Sequence, residues 1–413
     1  MQPPATRSNF LNLPNIRPPQ LRIYDAENGQ PRHATWLELF YDLVFVVAVS
    51  QLAHKLSSNV SWRGFLEYAG LFAPLWWTWI GTTFYANRFD SDDPIRRVMM
   101  GLQMLAIAFL AVNIHHAWDT TAIGFALGYI VSRILLIVEY LRAAKHIPEA
   151  RNLIYPLNFG FAIGVACWIV SLWVPAPWKF VLWAVGLLID FAAPLMGAKE
   201  QRRMPPHAEH LPERFGLFTI IVLGEAVIAV VNGVSDMDWS INSAATAVLG
   251  FVAAFSLWWL YFENTLEGAL EKARNTGRIL IAQVWLYGHL PLVTGLAAAG
   301  IGVEHLVVST QSEALPGNER WLMAGSVGLC YLALAALHKT GVIYACNSRT
   351  RHRLFAASAM FAIALFGSGL LPVAVMSAIA AIGIVQVLLD VSLEKTEYQE
   401  TEYQETEYQK TEC

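Results

Sequence analysis

Two hydrophobic stretches of the chain carry carboxylic acids at positions where a lipid bilayer would disfavour them. The first, Trp36–Leu56, contains Glu38 and Asp42, and the second, Glu213–Gly233, starts with an acid and contains Glu225. Each stretch is about 20 residues long, enough for a helix to span a hydrocarbon core of roughly 30 Å. A charge at that depth costs at least about 2.5–3.5 kcal/mol, so we expect these acids to face a polar cavity or a buried partner.

Glu38 and Asp42 are four residues apart and therefore share one face of a helix. Two carboxyl groups so close in a low-dielectric site favour the uptake of a proton, which is the chemistry of a proton acceptor and donor. The alternative for Glu38 is that it lies at the membrane interface and only stabilises the first helical turn through the helix dipole. Asp42 lies one turn deeper, which favours a functional role.

Glu225 and Arg133 are the other ionisable residues predicted near the middle of the bilayer. Glu225 follows Glu213 by about 18 Å of helix, and Gly224 before it predicts a close approach of another helix that would bury the acid. Arg133 requires an acid as partner, and Asp42 and Glu225 are the deepest candidates. We therefore predict one polar cluster of these deep residues, flanked by Glu38 and Glu213; the alternative is a set of purely structural contacts.

The remaining polar residues predict neither catalysis nor a metal site. Asp190, Asp390 and Glu139 lie near predicted helix ends on the cytoplasmic side, where contact with water is expected. His207 and His210 lie in a predicted linker, and two ligands are too few for a metal centre. No Walker loop, no GxSxG and no HExxH motif is present, so no cofactor is predicted.

Composition indicates a polytopic membrane protein. Of the 413 residues, 55% are hydrophobic and 15% are charged, and the mean hydropathy is +0.42. Soluble domains carry about 25% charged residues. The net charge of −4 gives no basic field for nucleic acid, and the four cysteines have no spacing typical of a zinc or disulfide framework.

The apolar periodicity predicts an all-α fold with about twelve transmembrane helices in two six-helix halves. The first half is 33–196 and the second is 213–393, joined by a cytoplasmic linker at 197–212. A proline-rich basic cytoplasmic arm (1–32) and a tail of TEYQE repeats (394–413) are predicted to be disordered. The predicted helices are about 34–56, 63–86, 95–118, 121–144, 153–174, 178–196, 213–233, 242–264, 277–303, 320–345, 354–371 and 373–393.

Short matches between the halves indicate an internal repeat. The tripeptide LWW occurs at 75–77 and at 257–259, and Asp190 and Asp390 follow similar apolar runs. Because the matches keep the same order and each half has six helices, the pattern predicts a parallel repeat about an axis along the membrane normal. The alternative is a resemblance by composition alone.

Charge counting predicts that both termini are cytoplasmic. With the N-terminus inside, 23 of the 28 Lys and Arg residues fall on the cytoplasmic side and four on the opposite side. Arg133 accounts for the remaining one. This strong bias follows the positive-inside rule.

Two motifs of this chain resemble those of the bacterial low temperature requirement protein A family. The first is Glu-Leu-Phe-Tyr-Asp-Leu-Val-Phe-Val at 38–46, in which Tyr41 replaces a second Phe. The second is the run Glu-Arg-Phe-Gly-Leu-Phe-Thr-Ile-Ile-Val-Leu-Gly-Glu at 213–225. The resemblance covers about 33–390 and implies a multi-pass membrane protein linked by name to growth in the cold. It implies no known reaction, so it assigns no catalytic residue.

Two classes of function remain. The first is a secondary transporter or permease of the bacterial cytoplasmic (inner) membrane that moves a small solute or a proton past intramembrane acids at the interface of the halves. The second is a membrane-embedded enzyme that modifies lipid or isoprenoid, or a structural membrane factor. We favour the transporter because an enzyme would require ligands or nucleophiles clustered at one membrane face, and the sequence shows none. The oligomeric state is left open.

Overall fold

The computed structural model describes residues 18–21, 33–90, 93–207, 210–235, 240–263, 268–309, 314–340 and 346–411. These residues are almost entirely helical. The helices are α1 (Trp36–Ser57), α2 (Trp62–Arg88), α3 (Pro94–Val112), α4 (Ala122–His146), α5 (Arg151–Ser171), α6 (Trp178–Met196), α7 (Ala198–Arg203), α8 (His210–Ser235), α9 (Ile241–Phe262), α10 (Ala269–Thr276), α11 (Ile279–Val308), α12 (Gly317–Arg320), α13 (Ser326–Thr340), α14 (Cys346–Phe366) and α15 (Pro372–Thr411). A π-helical turn at Trp321–Gly325 joins α12 to α13.

Within the described residues, ten helices are long and apolar enough to cross a membrane, counting α12 and α13 as one. The all-α, polytopic membrane fold predicted from the sequence is therefore confirmed. The helices α2 and α14 are similar in length but fall outside that set. Each of the twelve predicted segments overlaps one long helix. The largest shift of a helix start is at Cys346–Phe366, which starts well before the predicted start at 354 because Arg349 and Arg353 are buried rather than solvated.

Local sequence signals define where several helices begin. The Thr35 side chain accepts the Glu38 backbone N–H, and the Glu38 carboxylate accepts the Thr35 backbone N–H, which completes a capping box at the start of α1. The Asp93 side chain caps α3 by accepting the Arg96 backbone N–H, and Pro94 occupies the first turn as predicted. Capping thus fixes the entry of α1, the helix that carries Glu38 and Asp42.

The helices pack in a recurring set of neighbours. In the first half α1 packs against α2 and α3, and α3, α4 and α5 pack in series. In the second half α8 packs against α9 and α11, and α11, α13 and α14 pack in series. The last helices differ, since α6 packs on α5 whereas α15 packs chiefly on α9. The halves meet where α1 contacts α8 and α11.

The structure describes a part of each end of the chain. Most of the arm lies outside the described residues, but Gln20–Leu21 pair antiparallel with Phe89–Asp90 at the end of α2. At the other end, α15 continues through the TEYQE repeats to Thr411, where the sequence predicts disorder. The repeats contain no Gly or Pro, and Glu, Gln and Lys are good helix formers. Extending an existing helix also avoids the cost of a new nucleus.

Candidate functional site: a buried charge network between α1 and α8

A single arginine of α8 lies between the two carboxylates of α1. Arg214 Nη2 lies 2.6 Å from Asp42 Oδ1, and Arg214 Nη1 lies 3.1 Å from Glu38 Oε1. The three side chains are at most 4% exposed. The spacing of four residues on α1 places both acids on one face, so that one planar guanidinium reaches both. One positive charge against two negative charges leaves a surplus of one negative charge.

Asp42 is held by a second helix of the first half. Trp79 of α2 donates its indole N–H to Asp42 Oδ1 over 2.8 Å, so this oxygen accepts from both Trp79 and Arg214. The other oxygen, Asp42 Oδ2, is buried and has no hydrogen-bond partner. A buried carboxylate oxygen without a donor is unfavourable, and a proton on that oxygen would remove the charge.

Glu38 divides its two oxygens between capping and charge pairing. Oε2 accepts the Thr35 backbone N–H over 2.8 Å. This contact agrees with the alternative interpretation, in which Glu38 stabilises the first turn of α1. Oε1 faces Arg214 and lies 3.6 Å from His210 Nε2. Glu38 thus stabilises the helix start and also belongs to the charge network.

The tautomer of His210 follows from its neighbours. The His207 backbone N–H donates to Asn87 Oδ1 over 2.7 Å, which fixes the orientation of that amide. The Asn87 NH₂ then faces His210 Nδ1 at 3.2 Å, so Nδ1 accepts and the ring proton of neutral His210 lies on Nε2, toward Glu38. His207 and His210, for which the sequence predicts no role, therefore belong to this site.

A ladder of neutral and charged groups continues from α1 across the first half. Tyr41 donates to Thr82 over 3.0 Å, Thr82 donates to Gln103 over 3.0 Å, and Gln103 donates to Glu139 over 2.7 Å. Arg96 pairs with Glu139 at the far end. The expectation that Glu139 reaches water was wrong: it is buried because an arginine and an amide from α3 face it. Gln103, an amide within an apolar helix, was the sequence signal for this ladder.

Arg133 lies in a different cluster from the predicted one. Its Nη2 lies 3.0 Å from Asp190 Oδ1, and its guanidinium lies 4.2 Å from the Phe161 ring centroid. Tyr129 donates to Asp190 Oδ2 over 2.6 Å. The partner of Arg133 is therefore Asp190 rather than Asp42 or Glu225. Asp190, predicted to be solvated, is fully buried because α4 supplies both a charge and a hydroxyl for it.

Asp390 is buried in the same way in the second half. Arg353 of α14 pairs with it and also donates to Gln386 over 2.5 Å. The prediction of a solvated Asp390 was thus wrong for the same reason. Asp190 and Asp390, which the sequence aligned as repeat equivalents, each attach the last helix of a half to an earlier helix.

Glu225 and Glu213 stand apart from the Arg214 network. Glu225 lies about three helical turns beyond Arg214, and its Oε2 is buried without a hydrogen-bond partner. The predicted helix contact at Gly224 is absent from the described residues, since a Cβ there would meet nothing within 4 Å. Glu213 is partly exposed and lies 3.7 Å from His33.

The central cation was missed because Arg214 lies at the predicted membrane boundary. Arginines there usually extend to water or lipid headgroups. The available signal was spacing: His210 and Arg214 are four residues apart, like Glu38 and Asp42, so each pair shares one helix face. Two such faces of opposite charge match when α1 packs on α8.

Comparisons with known proteins agree with the two motifs that form this network. A family model described as bacterial low temperature requirement A protein (LtrA) matches residues 33–389. An uncharacterized protein of Rhizobium meliloti (strain 1021) is 30% identical over 290 residues, which cover 67% of this chain and 70% of that protein. No solved structure matches. Because the family model spans α1 to α14 and the first part of α15, and includes both motifs, the chain belongs to the bacterial low temperature requirement A family.

Proposed function

We propose that the protein is a proton-coupled secondary transporter or permease whose coupling site is the Arg214 network. The observation that carries the proposal is one guanidinium of the second half held between two buried carboxylates of the first. The surplus negative charge suits the binding of a proton or a cation within the membrane. Asp42 Oδ2, which is buried without a partner, is the oxygen that receives the proton.

The architecture that supports transport is a bundle of twelve spanning helices in two parallel repeats. The recurring neighbours, α1 with α2 and α3 and α8 with α9 and α11, support a duplication of six-helix halves. In this arrangement α2 and α14 cross the membrane with the other ten. The helix α2 is packed inside the bundle, where Trp76, Trp77 and Trp79 are buried. Proton-coupled exchange would occur at the interface of the halves.

Protonation of Asp42 changes what holds the halves together. With Asp42 charged, Arg214 binds two carboxylates of α1. With Asp42 neutral, the Coulomb attraction to Glu38 remains and the attraction to Asp42 is lost, so α8 is held less strongly. Proton binding therefore favours a state in which the halves separate at this end. Coupling of a proton to alternating access requires such a preference for one state.

We place the protein in the bacterial cytoplasmic membrane with both termini inside. The support is the bias of 23 of 28 Lys and Arg toward the predicted cytoplasmic side. The Arg214 network then lies at the cytoplasmic end of α1 and α8. The alternative of a lipid- or isoprenoid-modifying enzyme, or of a structural factor, has no specific observation in its favour among the described residues.

The test uses purified protein in proteoliposomes that contain the pH dye pyranine. Amino acids, carboxylic acids, sugars and polyamines are added one class at a time, and the internal pH is followed. We expect one class to change the internal pH in the wild type and in Glu213→Gln. The response should be lost in Asp42→Asn. Glu213→Gln is the matched control, because it removes a carboxylate next to Arg214 that lies outside the network. No response to any class, or equal responses in the two variants, would overturn the proposal.

A further inference from the structure

A cavity of about 170 Å³ lies between the halves, at the end of the bundle where α2 ends and α8 begins. Helices α2 and α5 line it on one side, and α10 and α11 line it on the other. Pro205 and Pro206 of the linker close one side, and the bond from His207 to Asn87 holds this segment on α2. Most of the wall is aromatic or aliphatic, as in Trp77 and Phe161.

Arg88 is the charged side chain among the described residues that line this cavity. It is 3% exposed, and its Nε and Nη2 are buried without a hydrogen-bond partner. Its neighbours are the Phe84 ring, at 5.5 Å from the guanidinium carbon, and the Tyr140 hydroxyl. No described carboxylate lies within ion-pair distance of it. The buried arginines Arg96, Arg133, Arg214 and Arg353 differ, since each has an aspartate or glutamate partner.

Two further donors in the wall also lack acceptors. The indole N–H groups of Trp77 and Trp285 are buried without hydrogen-bond partners, and both residues line the cavity. Among the described lining residues there is no Asp and no Glu. The cavity therefore combines an apolar wall with an excess of donors, and a buried unpaired guanidinium is costly unless an anion accompanies it.

We propose that this cavity binds an amphiphile with an anionic phosphate or carboxylate headgroup, drawn from the adjacent leaflet of the membrane. Arg88 binds the headgroup, as arginine binds planar and tetrahedral oxyanions in other proteins. The aromatic and aliphatic wall accommodates the start of the hydrocarbon chain. This site does not depend on the transport proposed above, because a bound anion by itself supplies the partner that the Arg88 guanidinium lacks.

A second cavity at the opposite end of the bundle provides an internal comparison. It has a volume of about 190 Å³ and lies beside Trp62, Phe65 and Trp321. Its described lining residues include no ionisable side chain. An apolar chain can enter either cavity, but only the cavity with Arg88 can select for a negative headgroup.

The first experiment measures the binding of dodecyl phosphate to the purified full-length protein by titration calorimetry. Dodecanol and inorganic phosphate are the two partial ligands. We expect dodecyl phosphate to bind at least tenfold more tightly than either one. Arg88→Met should weaken binding roughly 10- to 100-fold, the loss expected for one charge-assisted interaction. Arg63→Met removes an equally charged but exposed arginine and should bind like the wild type. Ala282→Phe keeps Arg88 and should reduce binding by filling the cavity.

Thermal unfolding of the same variants separates binding from structure. Because Arg88 has no acid partner to lose, we expect Arg88→Met to unfold at a temperature no lower than the wild type. A fall in unfolding temperature with unchanged dodecyl phosphate binding would show a structural role and overturn the proposal. Equal affinity for dodecanol and dodecyl phosphate would overturn it as well.

The source of the ligand is tested in lipid nanodiscs. Nanodiscs with equal amounts of phosphatidylglycerol and phosphatidylcholine are analysed by native mass spectrometry. We expect phosphatidylglycerol to remain bound to the wild type and to Arg63→Met, and to be lost from Arg88→Met. Equal retention of both lipids in all three proteins would show that the site does not take its ligand from the bilayer, which contradicts the proposal.

Discussion

Among the described residues, the buried ion pairs are of two kinds, those within one half and those between the halves. Arg133–Asp190 and Arg353–Asp390 each join two helices of the same half. Arg214 instead reaches from α8 to α1 and meets two anions. The Arg133–Asp190 pair within one half is balanced in charge. The network between the halves has two carboxylates for one guanidinium, and in the proposed coupling its strength depends on whether a proton is bound.

The largest effect is expected for Arg214→Met. This change leaves Glu38 and Asp42 buried one helical turn apart without a cation. Removal of one partner from a buried pair costs about 3–5 kcal/mol, and the mutual repulsion of the acids adds to that cost. We expect a sharp fall in folded yield and in unfolding temperature, measured by size-exclusion fluorescence after heating.

Adding Asp42→Asn to Arg214→Met should recover much of the loss, because only Glu38 then lacks a partner. If Arg214→Met alone is as stable as the wild type, water already reaches Glu38 and Asp42. In that case the network would not be a buried site.

A large effect is also expected for Asp190→Leu, which leaves Arg133 buried without an anion. The cost is about 3–5 kcal/mol. Replacing both residues, as in Arg133→Met with Asp190→Leu, should return stability to near the wild-type value, since balanced pairs can be replaced by apolar groups. The double variant should also keep any pH response of the wild type. If a stable double variant lost the pH response, the Arg133–Asp190 pair would take part in transport. The ion pairs within a half would then no longer differ in role from the Arg214 network.

A small effect on stability is expected for Asp42→Asn. The amide keeps an oxygen for the Trp79 N–H, and Glu38 still balances Arg214. We expect the change in unfolding free energy to stay within about 1.5 kcal/mol, the scale of one hydrogen bond. Thermal unfolding of Asp42→Asn beside Asp190→Leu tests this difference. A loss as large as that of Asp190→Leu would mean that Asp42 is structural.

Helix positions could be predicted from the sequence, whereas the partners of charged residues could not. Apolar length alone predicts the segment that becomes Trp178–Met196, and Pro94 correctly predicts the start of α3. Which side chains meet depends on how the helix faces pack, and no local pattern encodes that packing. Asp190 was expected in water because it lies near a helix end, but Tyr129 and Arg133 of α4 cover it.

The prediction at Gly224 shows the same limit. A glycine permits close approach of another helix, but whether a helix is present on that side is decided by the whole bundle. Gly164 shows the opposite outcome: a Cβ there would lie 2.9 Å from Asp190, so this glycine does allow α6 to approach α5. In the sequence, Gly164 has the spacing Gly160-x-x-x-Gly164 that is typical of close helix packing, whereas Gly224 has isoleucine four residues to either side.

The smallest effect is expected at the end of the bundle opposite the Arg214 network, where His115 lies in the turn between α3 and α4. Partial burial, and the neighbouring His116, Lys55 and His54, lower the pKa of His115 below its usual value. A histidine whose pKa is lower in the folded state favours unfolding as the pH falls through the unfolded value of about 6.5. The wild type should therefore lose a little stability between neutral and mildly acidic pH, and His115→Asn should lose less.

Comparison of the unfolding temperatures of the two proteins across this pH range measures the effect of His115. Because the side chain is partly solvated, the difference should be much smaller than that for Arg214→Met. A pH dependence that is identical in wild type and His115→Asn would show that solvent screens the positive groups around it. A loss of stability on acidification as large as the loss caused by Arg214→Met would contradict the expected order of effects. Charges that water reaches interact far more weakly than charges buried between helices.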